Sequence, residues 1–388
     1  MSLLLMLTTY LTPGPIQFER HQIDNFPAGY QVAVADVNGD GKPDVIALST
    51  DADRVDWYEN PTWKRHPVAK TPKNIDLAPY DLNGDGRAEI ALASGFYFGE
   101  SQRGGQIQWL SRPGQPDQLW QIHTIAADPV AHRLRWGDLD GDGKVELVHA
   151  PIFGPGSRGL ADMKPAHLWA FRPPKDLATG RWETWKIDET LTVLHGVWVG
   201  DLDGDDRDEV LTASYEGIYR FDFEGTGAAG QWKKVRISAG AAPTNPAPTA
   251  TRGASEVAPG KLGRQPFIAS IEPWHGNQVV VYTQPEKDGA WQRHVLDRSL
   301  VEGHALLVAD LDGDGLDEIV AGWRAAGGGL RLYHAADPGW QKFDVIELDK
   351  KMPAECAVVA DLSGDGKPDI VVSAGRANKL VWYENLTK

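Results

Sequence analysis

Three histidines, His132, His195 and His304, each stand six residues before the first aspartate of an acidic nonapeptide that recurs through the chain, and Tyr30 and Glu355 hold the same place before two further copies. Neutral imidazoles beside a carboxylate can hold a divalent metal, a transition ion or Mg2+, and leave positions open for substrate oxygens. Such a metal polarises a carbonyl and acidifies the adjacent C–H. A His or Tyr base then removes the proton and a β-oxygen leaves, which is lyase or dehydratase chemistry. The column is completed by Ile75 and, aligned through Gly260, by Ala254, and neighbouring positions add Gln31, Asp76 and Arg133. The competing reading is that a histidine at a strand start is a hydrogen-bonded loop residue. Convergence of several such groups in one concavity favours a chemical centre. His21, His66, His123 and His294 form a separate column on other strands, which we read as structural. No nucleophile elbow, phosphate loop or dinucleotide fingerprint occurs.

The nonapeptides carry a second chemistry. In D-x-[DN]-x-D-G-x-x-[DE], side-chain oxygens stand at positions one, three, five and nine and a backbone carbonyl at seven, a donor set for a hard cation such as Ca2+. The first copy, DVNGDGKPD at 36–44, offers Asp36, Asn38, Asp40, the carbonyl of Lys42, and Asp44. Equivalent positions are Asp81, Asn83, Asp85, Arg87 and Glu89; Asp138, Asp140, Asp142, Lys144 and Glu146; and Asp201, Asp203, Asp205, Arg207 and Glu209. The last two copies supply Asp310, Asp312, Asp314, Leu316 and Glu318, then Asp361, Ser363, Asp365, Lys367 and Asp369. Asp-Gly pairs also form plain turns, but turns do not require carboxylates at one, five and nine in six copies. Up to six structural calcium ions are therefore expected, with catalysis placed elsewhere.

Each copy joins two short apolar runs, so each is a hairpin turn. An aromatic strand follows (VDWYEN at 55–60, IQWLS at 107–111, KLVWYEN at 379–385), and then an aromatic-led outer strand such as WKRHPVA at 63–69. Four strands per unit describe a propeller blade. Seven aromatic strands give seven blades, at about 29–71, 74–127, 130–190, 193–239, 252–298, 302–349 and 354–385. Blade 5 keeps both apolar strands but has Gly260, Leu262 and Arg264 in place of acids. Blade 7 is one strand short, and FERHQID at 18–24 is left over, so the N-terminal strand is expected to complete it and close an all-β, seven-bladed ring. Residues 1–15 read as a leader or tag remnant. The insertions at 151–166 and 239–254 are candidates for shaping a pocket.

The turn after the second strand of each blade should open on the same end as the histidine column. It supplies Tyr97, Tyr215, Glu216, Trp274 and His275, Trp323, Arg324 and Arg376, aromatic faces mixed with polar groups that suit a sugar. The formal charge of −15 argues against nucleic acid or an anionic membrane as partner. It is local in origin, since the loops hold 24 of 54 acidic residues, and six divalent ions, twelve positive charges, would bring it to −3. No run beyond residues 3–11 approaches spanning length. The single cysteine, Cys356, excludes an internal disulfide.

The loops, their apolar flanks and the seven-unit count resemble the FG-GAP/VCBS repeats of integrin α-type propellers, across residues 16–388. EPWHG with the inner-strand histidines looks, more loosely, like the propeller portion of the aldos-2-ulose dehydratases. That resemblance implies dehydration or elimination on a keto-sugar, centred on His132, His195, His304 and His275. The expectation is a calcium-stabilised, metal-dependent carbohydrate lyase, monomeric and extracytoplasmic. The alternatives are a non-catalytic propeller binding glycans or protein partners, and a scaffold whose mouth is plugged by 239–254.

Overall fold

The computed structural model describes residues 16–247, 249–284, 289–325, 327–337 and 339–388. Seven antiparallel sheets of four strands stand around one channel. Blade 1 runs Gly29–Ala35, Asp44–Ser49, Arg54–Glu59, Lys64–Ala69 from the axis outward. The other innermost strands are Asp76–Tyr80, Ala131–Gly137, Gly196–Gly200, Glu256–Leu262, Gly303–Ala309 and Cys356–Ala360, each packed on its two neighbours around the ring. As expected, Phe18–Asn25 is the outer strand of blade 7, paired antiparallel with Lys379–Asn385. The expectation for residues 1–15 lies outside the described residues.

Burial explains the strand types. Second strands such as Asp44–Ser49, Glu89–Ser94 and Glu146–Pro151 are buried at every position, because both faces meet an adjacent blade, and they read as continuous apolar runs. The core lies between blades: Val32, Val45 and Tyr58 of blade 1 pack with Val371, Leu380 and Trp382 of blade 7. Burying each such side chain contributes about 1.5–3 kcal/mol. Two of the outer histidines stack on third-strand tryptophans directly opposite, His66 on Trp57 and His123 on Trp109, at ring distances of 4.3 and 4.1 Å. Trp136 likewise serves packing, its Nε1 donating to Ala78 O of blade 2 at 3.0 Å. Asn60, just after the third strand of blade 1, and Asn385, at the end of that of blade 7, donate across to the neighbouring acidic loop, at Leu362 O and Leu311 O.

Blade 5 departs from the expected alignment by one residue. Ser255 N donates to Ile271 O as His195 N does to Ala213 O and Glu355 N to Ser373 O, so Ser255, not Ala254, holds the column position. The blunt turn there carries no acidic nonapeptide from which to count. It bridges instead to the loop of blade 6, Leu262 lying opposite Leu316.

Candidate functional site

The innermost strands of blades 1, 3 and 6 each break register with their partner at one residue, and those residues are Tyr30, His132 and His304. A bulge lifts a side chain out of the ladder and re-aims it. Two residues earlier Ala28, Val130 and Glu302 are left-handed, with φ of 52°, 65° and 56°, a conformation that strains a β-branched Val130 in particular. His275 arrives from the Glu272–Gly276 turn of blade 5. Gly276 is required there because a Cβ would lie 2.3 Å from Pro273 N.

These devices bring the imidazoles together. His195 Nε2 and His275 Nε2 are 2.9 Å apart. Tyr30 Oη lies 3.0 Å from His304 Nε2 and 3.4 Å from His132 Nε2. His195 Nδ1 is 3.0 Å from Ser255 O and 2.8 Å from Glu256 Oε1, and His304 Nδ1 is 2.5 Å from Glu355 O. Acceptors on Nδ1 fix the tautomer with hydrogen on Nδ1, so both rings aim an Nε2 lone pair at the cluster. The guanidinium of Arg324 donates to His275 Nδ1 at 3.1 Å, which puts that ring's hydrogen on Nε2, facing His195.

Burial first, then the Arg133 and Arg324 cations and, for His132, His275 and His304, neighbouring rings of the cluster hold all four imidazoles well below the ordinary histidine value. They are neutral bases. Burial raises the Tyr30 phenol, keeping its proton, and pushes Glu256 up to about 7 against the pull of Arg133. Charges around the cluster are matched. Arg133 pairs with Glu256 at 3.2 Å, and Arg324 and Arg376 share Glu302 and Glu355.

Above the histidines lies a cavity of about 590 Å3. One wall is apolar, Ile75, Phe96, Phe98, Ile152 and Trp274, and the other polar, Asp51, Arg324, Glu355 and Arg376. Phe98 and Trp274 lie parallel, 6.2 Å between ring centres. The described part of segment 239–254 contributes nothing to the lining.

Several expected residues lie off this cavity, because neighbours along a strand or turn face opposite ways. Tyr97 turns from its flanking phenylalanines to stack on Arg103, and Trp323 faces the core between blades 5 and 6 while Arg324 faces the mouth. Tyr215 underlies Trp274, and Glu216 accepts from Thr192 N and Oγ1. Asp76 belongs to the next ring down the channel, bound to Gln31, Leu134 N and Arg135. Arg133 shares that ring and reaches up to His132 Nε2 at 3.1 Å. Phe98 and Glu256 were not anticipated as site residues. The alternation around Tyr97 pointed to the first, and the blade 5 offset hid the second.

The donor sets admit metals to different degrees. His195, His275 and His304 each place one nitrogen within 4.8 Å of the others. His195 and His304 fit a divalent ion, while His275 fits only once Arg324 leaves its Nδ1. In the acidic loops the first carboxylate accepts from the backbone N–H groups beneath it, as Asp36 does from Gly39 and Gly41. Burial, and further acids of the same loop, raise the position-nine carboxyls, Asp44 to about 6 and Glu209 to about 7. Buried Asp140 Oδ1 has no hydrogen-bond partner among the described residues. Crowded, buried carboxylates of this kind fit a hard cation.

Comparison with known proteins finds partial sequence relatives and shared folds. The β-propeller domain of aldos-2-ulose dehydratase matches residues 104–285, and FG-GAP-like repeats match 36–92 and 310–372. Aldos-2-ulose dehydratase from Phanerodontia chrysosporium is 29% identical over 244 residues, 58% of this chain and 26% of that protein. The chain thus spans about a quarter of the length of this curated relative. The stretch 104–285 holds His132, His195, Glu256, Trp274 and His275, whereas Tyr30, His304 and Glu355 lie outside it. Virginiamycin B lyase from Staphylococcus aureus shares the fold at a TM-score of 0.55 and 11% identity, over 95% of this chain and 99% of that one. The N-terminal BBS1 domain (BBS1N), solved in complex with ARL6DN, does so at 0.57 and 13%, over 95% and 96%.

Proposed function

We propose that this propeller is a calcium-stabilised carbohydrate dehydratase acting on an uncharged keto-sugar at the channel mouth. The carrying observation is the convergence of His195, His275 and His304 with Tyr30 beneath a cavity that is aromatic on one side and polar on the other. Among the described residues each of Arg133, Arg324 and Arg376 already has a glutamate partner, which supports a neutral substrate over a carboxylate or phosphate.

The sugar ring stacks on Trp274 and Phe98 with its hydroxyls toward Arg324 and Glu355. The His195–His275 pair takes the proton from the carbon beside the carbonyl, and Glu256, 2.8 Å from His195 Nδ1, stabilises the imidazolium formed. The C–H electron pair becomes the new carbon–carbon π bond as the β carbon–oxygen bond breaks. The imidazolium returns its proton to the leaving hydroxyl, so water departs and the enzyme is unchanged. Tyr30 O–H holds the carbonyl oxygen as charge develops. A divalent metal would occupy the Nε2 lone pairs of His195 and His304, in place of the role of His195 as base, and would supply Lewis acidity toward a substrate oxygen. The proposed setting is extracytoplasmic, where millimolar calcium suits such loops.

Wild type incubated with neutral aldos-2-uloses should form a conjugated enone, followed by its near-ultraviolet absorbance. His195→Ala should reduce turnover at least about a hundredfold, with melting in calcium little changed. Undiminished turnover in that variant would sink the proposal. Saccharide binding without turnover in wild type would leave the glycan-binding alternative.

A further inference from the structure

Blade 6 alone among the described residues sets an imidazole against its acidic loop. In blade 3 the pair Leu147–Phe171 brings Arg172 opposite the position-nine Glu146, and in blade 6 the equivalent pair Ile319–Tyr333 brings His334 opposite Glu318. Arg172 Nη1 lies 3.0 Å from Asp140 Oδ2 and 3.3 Å from Glu146 Oε1, and the same guanidinium pairs with Asp142. In blade 2 Arg112 stands 3.0 Å from Asp85. The chain itself therefore marks, with a guanidinium, a place beside these carboxylates where positive charge belongs.

His334 takes that place with a shorter side chain whose nitrogen is a metal ligand when neutral. Its Nδ1 is 2.8 Å from Glu318 Oε1 and 3.9 Å from Asp312 Oδ2, and one ligand atom from each of the three lies within 4.8 Å of the others. Bonds of 2.0–2.2 Å set tetrahedral ligand edges of about 3.3 Å, and the two observed separations bracket that value. Glu318 is fully buried and the Asp312 side chain is 2% exposed, so the carboxylates are held in place. Asp312 also belongs to a second group with Asp310 and Asp314, one ligand atom of each lying within 4.8 Å of the others.

We infer that blade 6 holds a borderline divalent ion of the zinc class through His334 Nδ1, Glu318 and Asp312, while the loops with oxygen donors only are left to calcium. Imidazole nitrogen favours such ions, and hard calcium gains little from it. This assignment rests on the reading of the acidic loops as cation sites given above.

The test uses the full chain, stripped with chelator, dialysed into millimolar calcium chloride and titrated with zinc chloride by calorimetry. His334→Arg, which rebuilds the arrangement of blade 3, and His334→Gln should each bind one zinc fewer than wild type while melting normally in calcium. Zinc taken by the central histidines remains in both variants and is removed by His195→Ala. Cobalt(II) in place of zinc should lose one set of visible bands in His334→Arg. Equal zinc stoichiometry in wild type and both variants overturns the inference, as does displacement of the His334-dependent zinc by calcium. Zinc at His334 with no calcium uptake elsewhere would support it and remove the calcium reading.

Discussion

Replacing Arg293 by alanine tests how the turn that delivers His275 is held. Glu272, the first residue of that turn, is fully buried. Its carboxylate accepts from Arg293 Nε and Nη2 at 3.1 and 2.6 Å and from Tyr282 O–H at 2.5 Å. Burial raises the Glu272 carboxyl, with Arg293 the chief opposing influence, so loss of the guanidinium leaves either a buried charge or a carboxyl that must take a proton. Breaking one side of a buried pair costs about 3–5 kcal/mol. A 388-residue chain melting as one unit has an unfolding entropy of about 0.8 kcal/mol/K, so about 4 kcal/mol lowers the melting temperature by about 5 °C. Adding Glu272→Gln should recover part of the loss, because an amide carries no charge and still accepts from Tyr282. Circular dichroism melts in calcium provide the measurement. A shift below about 1 °C in Arg293→Ala, or a double variant less stable than the single, would refute the account of this pair.

Asn385→Ala removes the amide that donates to Leu311 O at 2.6 Å and Pro368 O at 3.1 Å, and should cost about 2 kcal/mol in denaturant unfolding. Phe98→Ala, at a position 39% exposed, should raise KM for a stacking sugar several-fold while leaving kcat and melting nearly unchanged. Since the folded state depresses the imidazole values, the unfolded chain binds more protons below pH 6.5, and stability falls as pH drops from there. In chelator, a His132→Gln, His304→Gln variant should show a shallower slope, by at most about 1.4 kcal/mol per pH unit for each ring removed, measured by unfolding between pH 6.5 and 5.

The ring was legible because the acidic nonapeptide is a fixed ruler: a count of six from it reaches His132, His195 and His304, and all three meet at the channel. Blade 5 lacks the ruler, so the same count from Gly260 lands one residue out, on Ala254, and passes over Glu256. The bulges at Tyr30, His132 and His304 leave no mark in composition, so the aim of those side chains emerged only from the strand register. The rim residues failed for a simpler reason. A turn of alternating sides presents Phe98 and Arg324 to the cavity and hides Tyr97 and Trp323, and residue type does not tell which parity faces in.

The pairing of Phe18–Asn25 with Lys379–Asn385 has a consequence for how the molecule is made. His21 and Glu384, joined across that seam, are 363 positions apart, and a ribosome adding 5–20 residues per second needs about 20–70 s to travel between them. Phe18–Asn25 therefore waits without its strand partner until Lys379–Asn385 emerges, and during that interval its open edge can pair with another nascent chain.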